Sequence, residues 1–244
     1  MRLTLGYRGT RYAGWAVQSC SQLPTIQATL ESALQRALGH PARVTAAGRT
    51  DAGVHADGQV VSFETTSAIS PDGLLRVLAR WLPDDVWPLD LDAAPAEFDA
   101  RRSALRRWYR YAIWRSAEVP VDWQGRCLVE TQALNLRAMR DASKALLGRH
   151  DFGSFVTSPS LRVSNERTVF AADWLEISPT LLIFEMCADA YLKQMVRTIV
   201  GSLLWVGRGR WTPSDFEAGL SKADRRAAGP NAPAVGLTLY RIEY

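Results

Sequence analysis

The stretch "AAGRTDAGVHADGQVVSF", residues 46–63, places a polar, glycine-punctuated segment between two segments with the composition of β-strands. Gly48, Gly53 and Gly58 permit tight backbone paths, so a loop here can hold a side chain against a close neighbour. Asp51 can act in such a loop as a nucleophile, a base or a ligand. It can equally be the first residue of an Asp-x-Gly turn that joins two strands. The pattern alone favours the turn, and both interpretations stay open at this point.

The segments around this loop alternate between strand and helix patterns. Apolar residues alternate over 2–7 and recur every four residues over 26–38, which predicts a strand and then an amphipathic helix that ends at Gly39. The same reasoning predicts four further elements: a strand at 43–47, a strand at 58–64, a helix at 71–82 that Pro83 stops, and an irregular strand at 86–92. This order is that of a split βαβ, ferredoxin-like half.

A similar α/β order follows in the second half of the chain. Its predicted elements are a strand at 103–116, a helix at 136–147 capped by Gly148, a strand pair at 168–177 and 181–187, a helix at 190–207, a short helix from Thr212-Pro213 with a capping box at Asp215, and a terminal strand at 235–244. We therefore predict an α+β protein with two ferredoxin-like α/β lobes that share a mostly antiparallel sheet. The lobes are expected at 1–102, which carries the Asp51 loop, and at 103–244, which completes a central basic cleft.

Composition bounds the class of protein. With 244 residues, of which 47% are hydrophobic and 22% charged, the chain can bury a sizeable core. It contains no run of about 18 apolar residues, and "MRLTLGYRGT" lacks the features of a signal peptide. Cys20, Cys127 and Cys187 are odd in number and widely spaced, which indicates neither a disulfide framework nor a zinc site. We expect a cytoplasmic protein without a membrane association.

The basic residues are dominated by arginine: 26 of the 29 are Arg, and the formal net charge is +4. Guanidinium groups suit phosphate oxygens, although a GC-rich coding sequence would also raise the arginine content. Six of them cluster around aromatic residues, in the order Arg101, Arg102, Arg106, Arg107, Trp108, Tyr109, Arg110, Tyr111, Trp114 and Arg115. This composition is typical of a platform for looped RNA, or of an exposed sheet face whose aromatics enter the core.

Two further features suggest chemistry. Arg197 interrupts an apolar helix, so it either has an anionic partner or covers apolar surface with its stem while its head reaches solvent. Asp51, His55 and Asp57 have a spacing that a mixed oxygen and imidazole metal site would accept, but no second cluster elsewhere has ligand spacing. The chain has no phosphate-binding loop, no G-x-S-x-G motif and no dinucleotide fingerprint, so no nucleotide cofactor is indicated.

Seven segments resemble, in the same order, those of the bacterial tRNA pseudouridine synthase A family. They are "GTRYAGWAVQ" (9–18), "TIQATLE" (25–31), "GRTDAGVHADGQV" (48–60), "FDARRSALRRWYRY" (98–111), "GRHDFGSF" (148–155), "YLKQMVRTIVG" (191–201) and "APAVGLTLYRIEY" (232–244). The resemblance covers nearly the whole chain, and its "GRTDAGVHA" segment is highly specific. Departures from the family pattern at Ala16, Arg102, Trp108 and Tyr191 bear on RNA contacts more than on catalysis.

The resemblance implies an isomerase that converts uridine to pseudouridine in the anticodon stem-loop of tRNA, at tRNA positions 38–40, without a cofactor or a metal. It implies that Asp51 forms a covalent bond to the nucleotide, that Arg197 pairs with Asp51, and that Tyr109 stacks on the flipped uracil. The RNA contacts it implies are Arg49, His55, Arg101, Arg107 and Tyr109. It also implies a homodimer that binds tRNA.

Two readings from other classes compete with this one. A tRNA-binding or tRNA-folding protein without catalysis would use only the arginine and aromatic face. A metal-dependent hydrolase would use Asp51, His55 and Asp57 and would be sensitive to chelators. The intact "GRTDAGVHA" segment argues against both.

Overall fold

The computed structural model describes residues 1–18, 22–157 and 164–244, so Cys20 lies outside the described residues. It has a mixed α+β fold in which most strand pairs are antiparallel, as predicted. The elements in chain order are β1 (Arg2–Tyr7), α1 (Ile26–Leu38), β2 (Thr45–Ala46), β3 (His55–Ser62), α2 (Pro71–Trp81), β4 (Val86–Asp92), β5 (Arg106–Trp114), β6 (Leu128–Val129), α3 (Leu136–Ser143), β7 (Gly148–Asp151), β8 (Glu166–Glu176), β9 (Leu181–Ala188), α4 (Met195–Gly207), α5 (Pro213–Ser221) and β10 (Leu237–Glu243).

The chain forms two compact units. The first comprises Met1–Leu105 together with Thr238–Tyr244, and the second comprises Arg106–Leu237. The sequence-based division at 102/103 placed the terminal strand in the second lobe, whereas the structure groups that strand with the first unit. The reason is that β10 pairs in parallel with β3, with Thr238 opposite His55. Such a long-range strand pairing leaves no mark in the local alternation of β10.

In the first unit, β1 lies between β4 and β3 and is antiparallel to both, and β2 pairs antiparallel with β3. This is the strand arrangement of a split βαβ unit, with α1 and α2 as its crossovers. The buried residues of α1 include Ile26, Leu30, Leu34 and Leu38, which have the predicted four-residue spacing. Gly39 ends the helix with φ 77°, a conformation that favours glycine.

In the second unit, β9 lies between β5 and β8, and β7 pairs with the far side of β8, all antiparallel. On strand β5, the residues of one face are all buried, namely Arg107, Tyr109, Tyr111 and Ile113, and on the other face Ala112 and Trp114 are buried as well. α5 begins with the predicted capping box between Thr212 and Asp215. Within the described residues, no helix is long and apolar enough to cross a membrane.

The prediction for α4 was wrong at its start. The helix begins at Met195 rather than near residue 190, because Gln194 adopts a left-handed conformation with φ 62° that an α-helix cannot include. From Met195 onwards nearly every residue of α4 is buried, and only Arg197 and Trp205 are half-buried. A helix that is apolar on almost all sides is buried in a core. Arg197, the charged residue of α4, therefore needs a specific partner or a path to solvent.

Candidate active site

Asp51 begins a tight turn at the end of the polar loop. Its backbone carbonyl accepts a hydrogen bond from Val54 N at 3.1 Å, and Gly53 has φ 79° at the third position, where this kind of turn requires a positive φ. The turn is closed by the backbone of Asp51. The residue can therefore be both a turn residue and the bearer of a reactive carboxylate, which the sequence pattern presented as alternatives. Asp51 is half-buried.

The residues that precede Asp51 are held firmly within the first unit. Thr50 accepts a bond at its carbonyl from Trp15 N (3.0 Å), and its Oγ1 lies 2.8 Å from the Tyr7 hydroxyl. Gln59 Nε2 donates to Gly48 O at 2.7 Å. Gly14 has φ 97°, and a Cβ there would lie 2.8 Å from Thr50 O, so only glycine lets the two segments approach this closely. The loop is therefore pre-positioned by contacts distant in sequence.

His55 and Asp57 support this loop. His55 is 1% exposed, and its Nδ1 accepts a hydrogen bond from Gly9 N at 3.2 Å, which requires this ring nitrogen to be unprotonated. Asp57 forms an ion pair with Arg8 at 2.8 Å. Residues 1–18, 22–157 and 164–244 contain no cluster of three or more His, Cys, Asp or Glu side chains that could hold a metal ion. The burial of His55 favours a supporting role over direct contact with RNA.

Arg49 and Arg101 are both exposed. In the part of the chain that the structure describes, Arg49 forms no ion pair. The backbone N of Arg101 donates to Asp99 Oδ1 at 2.9 Å, which fixes the turn that carries it. Both arginines remain accessible to a large ligand.

Tyr109 lies in the second unit, on the buried face of β5, and is 7% exposed. Its ring makes an edge-to-face contact with Tyr191, with centroids 4.9 Å apart and planes at 80°. The Tyr191 hydroxyl can donate to the backbone carbonyl of Arg107 (3.1 Å) or of Met186 (3.0 Å). Burial raises the pKa of Tyr191 well above its usual value, so the Tyr191 side chain that contacts Tyr109 stays neutral. Tyr191 was noted in the sequence only as a departure from the family pattern.

Arg107 also belongs to the surroundings of Tyr109. It is only 9% exposed, and its Nη1 donates to the carbonyl oxygen of Asp189. The Asp189 carboxylate accepts from the backbone N of Ala190 (2.6 Å) and of Thr168 (3.1 Å), so the segment that Arg107 contacts is itself fixed. Arg107 is therefore held by a fixed partner on the same face of β5 as Tyr109.

The remaining arginines of the predicted platform are divided among different partners. Arg110 forms an ion pair with Glu185 at 2.6 Å, Arg115 pairs with Glu176 at 3.3 Å, and Arg106 stacks over Phe170 at 4.6 Å. In this structure the charges of Arg110 and Arg115 are thus balanced by carboxylates of the protein itself. The carboxylates that neutralise them come from β8 and β9, which are distant in sequence.

Arg197 occupies the first turn of α4 and is half-buried. Its Nε donates to the carbonyl of Ala232 at 2.9 Å, and its own backbone carbonyl accepts from Ala232 N at 2.9 Å. Burial raises the pKa of Tyr111 above its usual value, while the positive charge of Arg197 acts in the opposite direction. The backbone partner was not predicted from sequence, and it orients the guanidinium at a defined point of the second unit.

The structure thus places Asp51 in the first unit and both Tyr109 and Arg197 in the second. The tRNA pseudouridine synthase family matches residues 5–101 and 142–244 of this chain. The chain is 39% identical to tRNA pseudouridine synthase A of Syntrophomonas wolfei over its whole length and 97% of that protein. It is 40% identical to tRNA pseudouridine synthase A of Moorella thermoacetica, again over its whole length and 99% of that protein.

A third relative, tRNA pseudouridine synthase A of Chloroflexus aurantiacus, is 41% identical over 99% of this chain and 87% of that protein. The matched ranges include the Asp51 loop and the turn that begins α4. These matches extend over both units rather than over one motif. This chain therefore belongs to the tRNA pseudouridine synthase family.

Proposed function

We propose that this protein isomerises uridine to pseudouridine in the anticodon stem-loop of tRNA, with Asp51 as the nucleophile. The observation that carries the proposal is the anchored Asp51 turn, in a chain that belongs to this enzyme family. Trp15 and Tyr7 hold Thr50, the residue before Asp51, so a carboxylate borne on this turn needs little reorganisation before it attacks.

The reaction balances without an electron donor or acceptor. The bond between uracil N1 and the ribose C1′ breaks, the base turns, and a bond between C5 and C1′ forms. The C5 hydrogen leaves as a proton, and N1 takes up a proton. Substrate and product are isomers, so the chain's own groups can supply a nucleophile, a proton acceptor and a site that excludes water. Asp51 bonds covalently to the nucleotide and is released when the product forms.

The other residues have separate roles in this proposal. Tyr109, held by Tyr191, stacks on the uracil after it leaves the helix stack, because a base must be flipped out before its ring can be turned. Arg197 pairs with the Asp51 carboxylate as a group of opposite charge. Arg49 and Arg101, both exposed in the first unit, contact phosphates of the tRNA. The enzyme acts as a homodimer in the cytoplasm.

The central test is tritium release from tRNA that carries uridine labelled at C5. Wild-type protein is expected to release the label. The Asp51→Asn and Asp51→Ala variants are expected to release none, although they still bind tRNA. Asp51→Asn is nearly isosteric, so a loss of activity reports on the carboxylate itself. Asp84→Asn, at an exposed aspartate in the same unit, is the charge-matched control and should retain the wild-type rate.

Undiminished release by the Asp51 variants would overturn the assignment of the nucleophile. If the wild-type protein bound tRNA but released no tritium, the protein would instead be a tRNA-binding protein without catalysis. Mapping of pseudouridine in the treated tRNA tests whether the modified uridines lie in the anticodon stem-loop. Light scattering tests whether the protein is a dimer in solution.

A further inference from the structure

The segment "GPNAPAVG", residues 229–236, packs against α4 and β5 with almost no space between the backbones. A Cβ on Gly201 of α4 would lie 1.7 Å from Pro230 O, and a Cβ on Gly236 would lie 2.6 Å from the Tyr111 ring. Gly229 N donates to Ser202 Oγ at 2.8 Å. We call residues 229–236 the strap. Since glycines permit these approaches, the strap has one position relative to the helix that carries Arg197.

The strap contacts Arg197 through the backbone of Ala232. Ala232 N donates to Arg197 O, and Ala232 O accepts from Arg197 Nε, both at 2.9 Å. The second bond uses the one guanidinium nitrogen that lies along the side chain, so it determines the direction in which the two terminal nitrogens point. Any displacement of Ala232 therefore rotates the guanidinium head.

Asn231, the residue before Ala232, makes two bonds to residues on either side of Arg197. Its Nδ2 donates to Gln194 Oε1 at 2.5 Å, and its Oδ1 accepts from Thr198 Oγ1 at 2.6 Å. Both ends of the amide are used, so its orientation is determined by the network. The side chain joins the strap to the beginning of α4 immediately around the residue that carries the positive charge.

Gln194 is held in an unfavourable backbone conformation at the same place. It is one of two non-glycine residues with a positive φ among the described residues, and its φ is 62°. Its carbonyl accepts from Thr198 N at 3.0 Å and begins α4. Such a conformation persists only where surrounding contacts impose it, and the bond from Asn231 is one such contact. Glycine adopts a positive φ with less strain than glutamine does. Backbone geometry therefore does not explain the glutamine at position 194, and its side chain has another role.

We propose that Asn231 is a positioning residue that acts through Ala232 to direct the guanidinium of Arg197, with Gln194 as its anchor. The inference rests on the proposed function, in which Arg197 pairs with the nucleophile. A purely structural role for the same network would change the stability of the protein without any coupling to Arg197.

The test is a double-mutant cycle on the full-length protein, with the rate of tritium release measured at saturating enzyme. Asn231→Ala is expected to lower this rate by about 10- to 100-fold, since a misplaced group costs about that much, and to change the dissociation constant for tRNA by less than about 2-fold. Arg197→Lys retains the charge but lacks the Nε donor to Ala232. In the Arg197→Lys background, Asn231→Ala should therefore produce no further loss.

Two variants separate positioning from stability. Asn135→Ala removes the side-chain cap of α3 in the same unit, so it lowers the thermal stability without touching the strap and should retain the wild-type rate. Gln194→Gly removes the bond to Asn231 but suits the positive φ, so the protein should stay folded and still lose about 10-fold or more in rate.

An equal loss from Asn231→Ala in the wild-type and Arg197→Lys backgrounds would overturn the inference, as would a wild-type rate for Asn231→Ala or Gln194→Gly. These outcomes leave the proposed function intact provided Asp51→Asn abolishes release. A wild-type rate for Arg197→Ala would overturn both the role of Arg197 and the positioning by Asn231. Absence of release by the wild-type protein would overturn the proposed function itself.

Discussion

At the scale of single residues, a chain of neutral hydrogen-bonding groups holds the segment that precedes Asp51. Tyr7 is fully buried, and its hydroxyl lies 2.8 Å from Thr50 Oγ1 and accepts from Gln59 Nε2 at 3.4 Å. Gln59 in turn donates to Gly48 O. These hydrogen bonds join Tyr7, the last residue of β1, to the loop. Removing one member would leave a buried polar group without a partner, which costs free energy.

Tyr7→Phe tests this chain. Burial raises the pKa of Tyr7 from 10.0 to about 12, so the folded state retains the phenolic proton more strongly than the unfolded state. The stability associated with the protonated hydroxyl is complete below pH 10 and is lost as the pH rises from 10 through 12. We expect Tyr7→Phe to lower the free energy of unfolding by about 1 kcal/mol at pH 8.

The same variant should also reduce the decline of stability at alkaline pH. Urea unfolding of both proteins at a series of pH values up to about 11.5 measures this difference, in which other titrating groups cancel. An identical pH dependence in the two proteins would contradict the proposed contribution of Tyr7.

At the scale of elements, helix α1 supports the Asp51 loop through its first turn. Ile26 N donates to Gly14 O (3.1 Å) and Gln27 N donates to Trp15 O (3.0 Å), so N–H groups that an isolated helix leaves without partners are satisfied by the preceding segment. Trp15 N in turn donates to Thr50 O. The helix end, the segment before it and the loop thus form one connected unit.

Thr25→Ala should loosen this connection. Thr25 caps α1 by accepting from Ala28 N at 3.3 Å, and loss of such a cap costs about 1 kcal/mol. We expect urea unfolding to show a decrease of about 1 kcal/mol in the free energy of unfolding of Thr25→Ala. We also expect its rate of tritium release to be lower than that of the wild type. Thr25→Ser retains the hydroxyl and is the matched control, expected to restore both quantities. Equal stability of Thr25→Ala and the wild type would show that the cap does not support the loop.

At the scale of the whole molecule, the arrangement of charge matters more than the net charge of +4. Many arginines form ion pairs with carboxylates. When such an arginine contacts RNA, it releases fewer counterions than an arginine without an ion pair does. Arg49 is exposed and has no ion pair within the described residues. The arginine content of the sequence therefore overstates the number of sites at which the protein can contact phosphates.

The salt dependence of tRNA binding separates these two classes of arginine. Arg49→Gln is expected to weaken binding and to reduce the slope of log affinity against log salt by about 1, measured by filter binding between about 50 and 200 mM salt. Arg149→Gln, at an arginine that pairs with Glu166 at 2.8 Å, is the matched control and should change the slope by less than about half that amount. Equal slopes for the wild type and Arg49→Gln would rule out a phosphate contact by Arg49.

Much of the fold was predictable because periodicity and end signals are local. The four-residue spacing of apolar residues predicted α1, the strand pattern over 103–116 predicted β5, and the Thr212 capping box marked the start of α5. The start of α4 was not predictable in this way, because a left-handed Gln194 depends on a partner 37 residues away. Helical periodicity continues through residues 190–194 in the sequence although the helix does not.

The α+β class, most element positions, the family and the loop that carries Asp51 could be inferred from the sequence, since these depend on neighbouring residues and on one specific segment. The partners of the side chains became known from the three-dimensional structure. In the structure Arg197 bonds to Ala232 and Tyr7 to Thr50, β10 pairs with β3, and the His55 ring accepts a bond from Gly9. The physical reason is that a hydrogen bond or an ion pair depends on distance in space, and these partners are 35 to 46 residues apart along the chain, or further still for the strand pair.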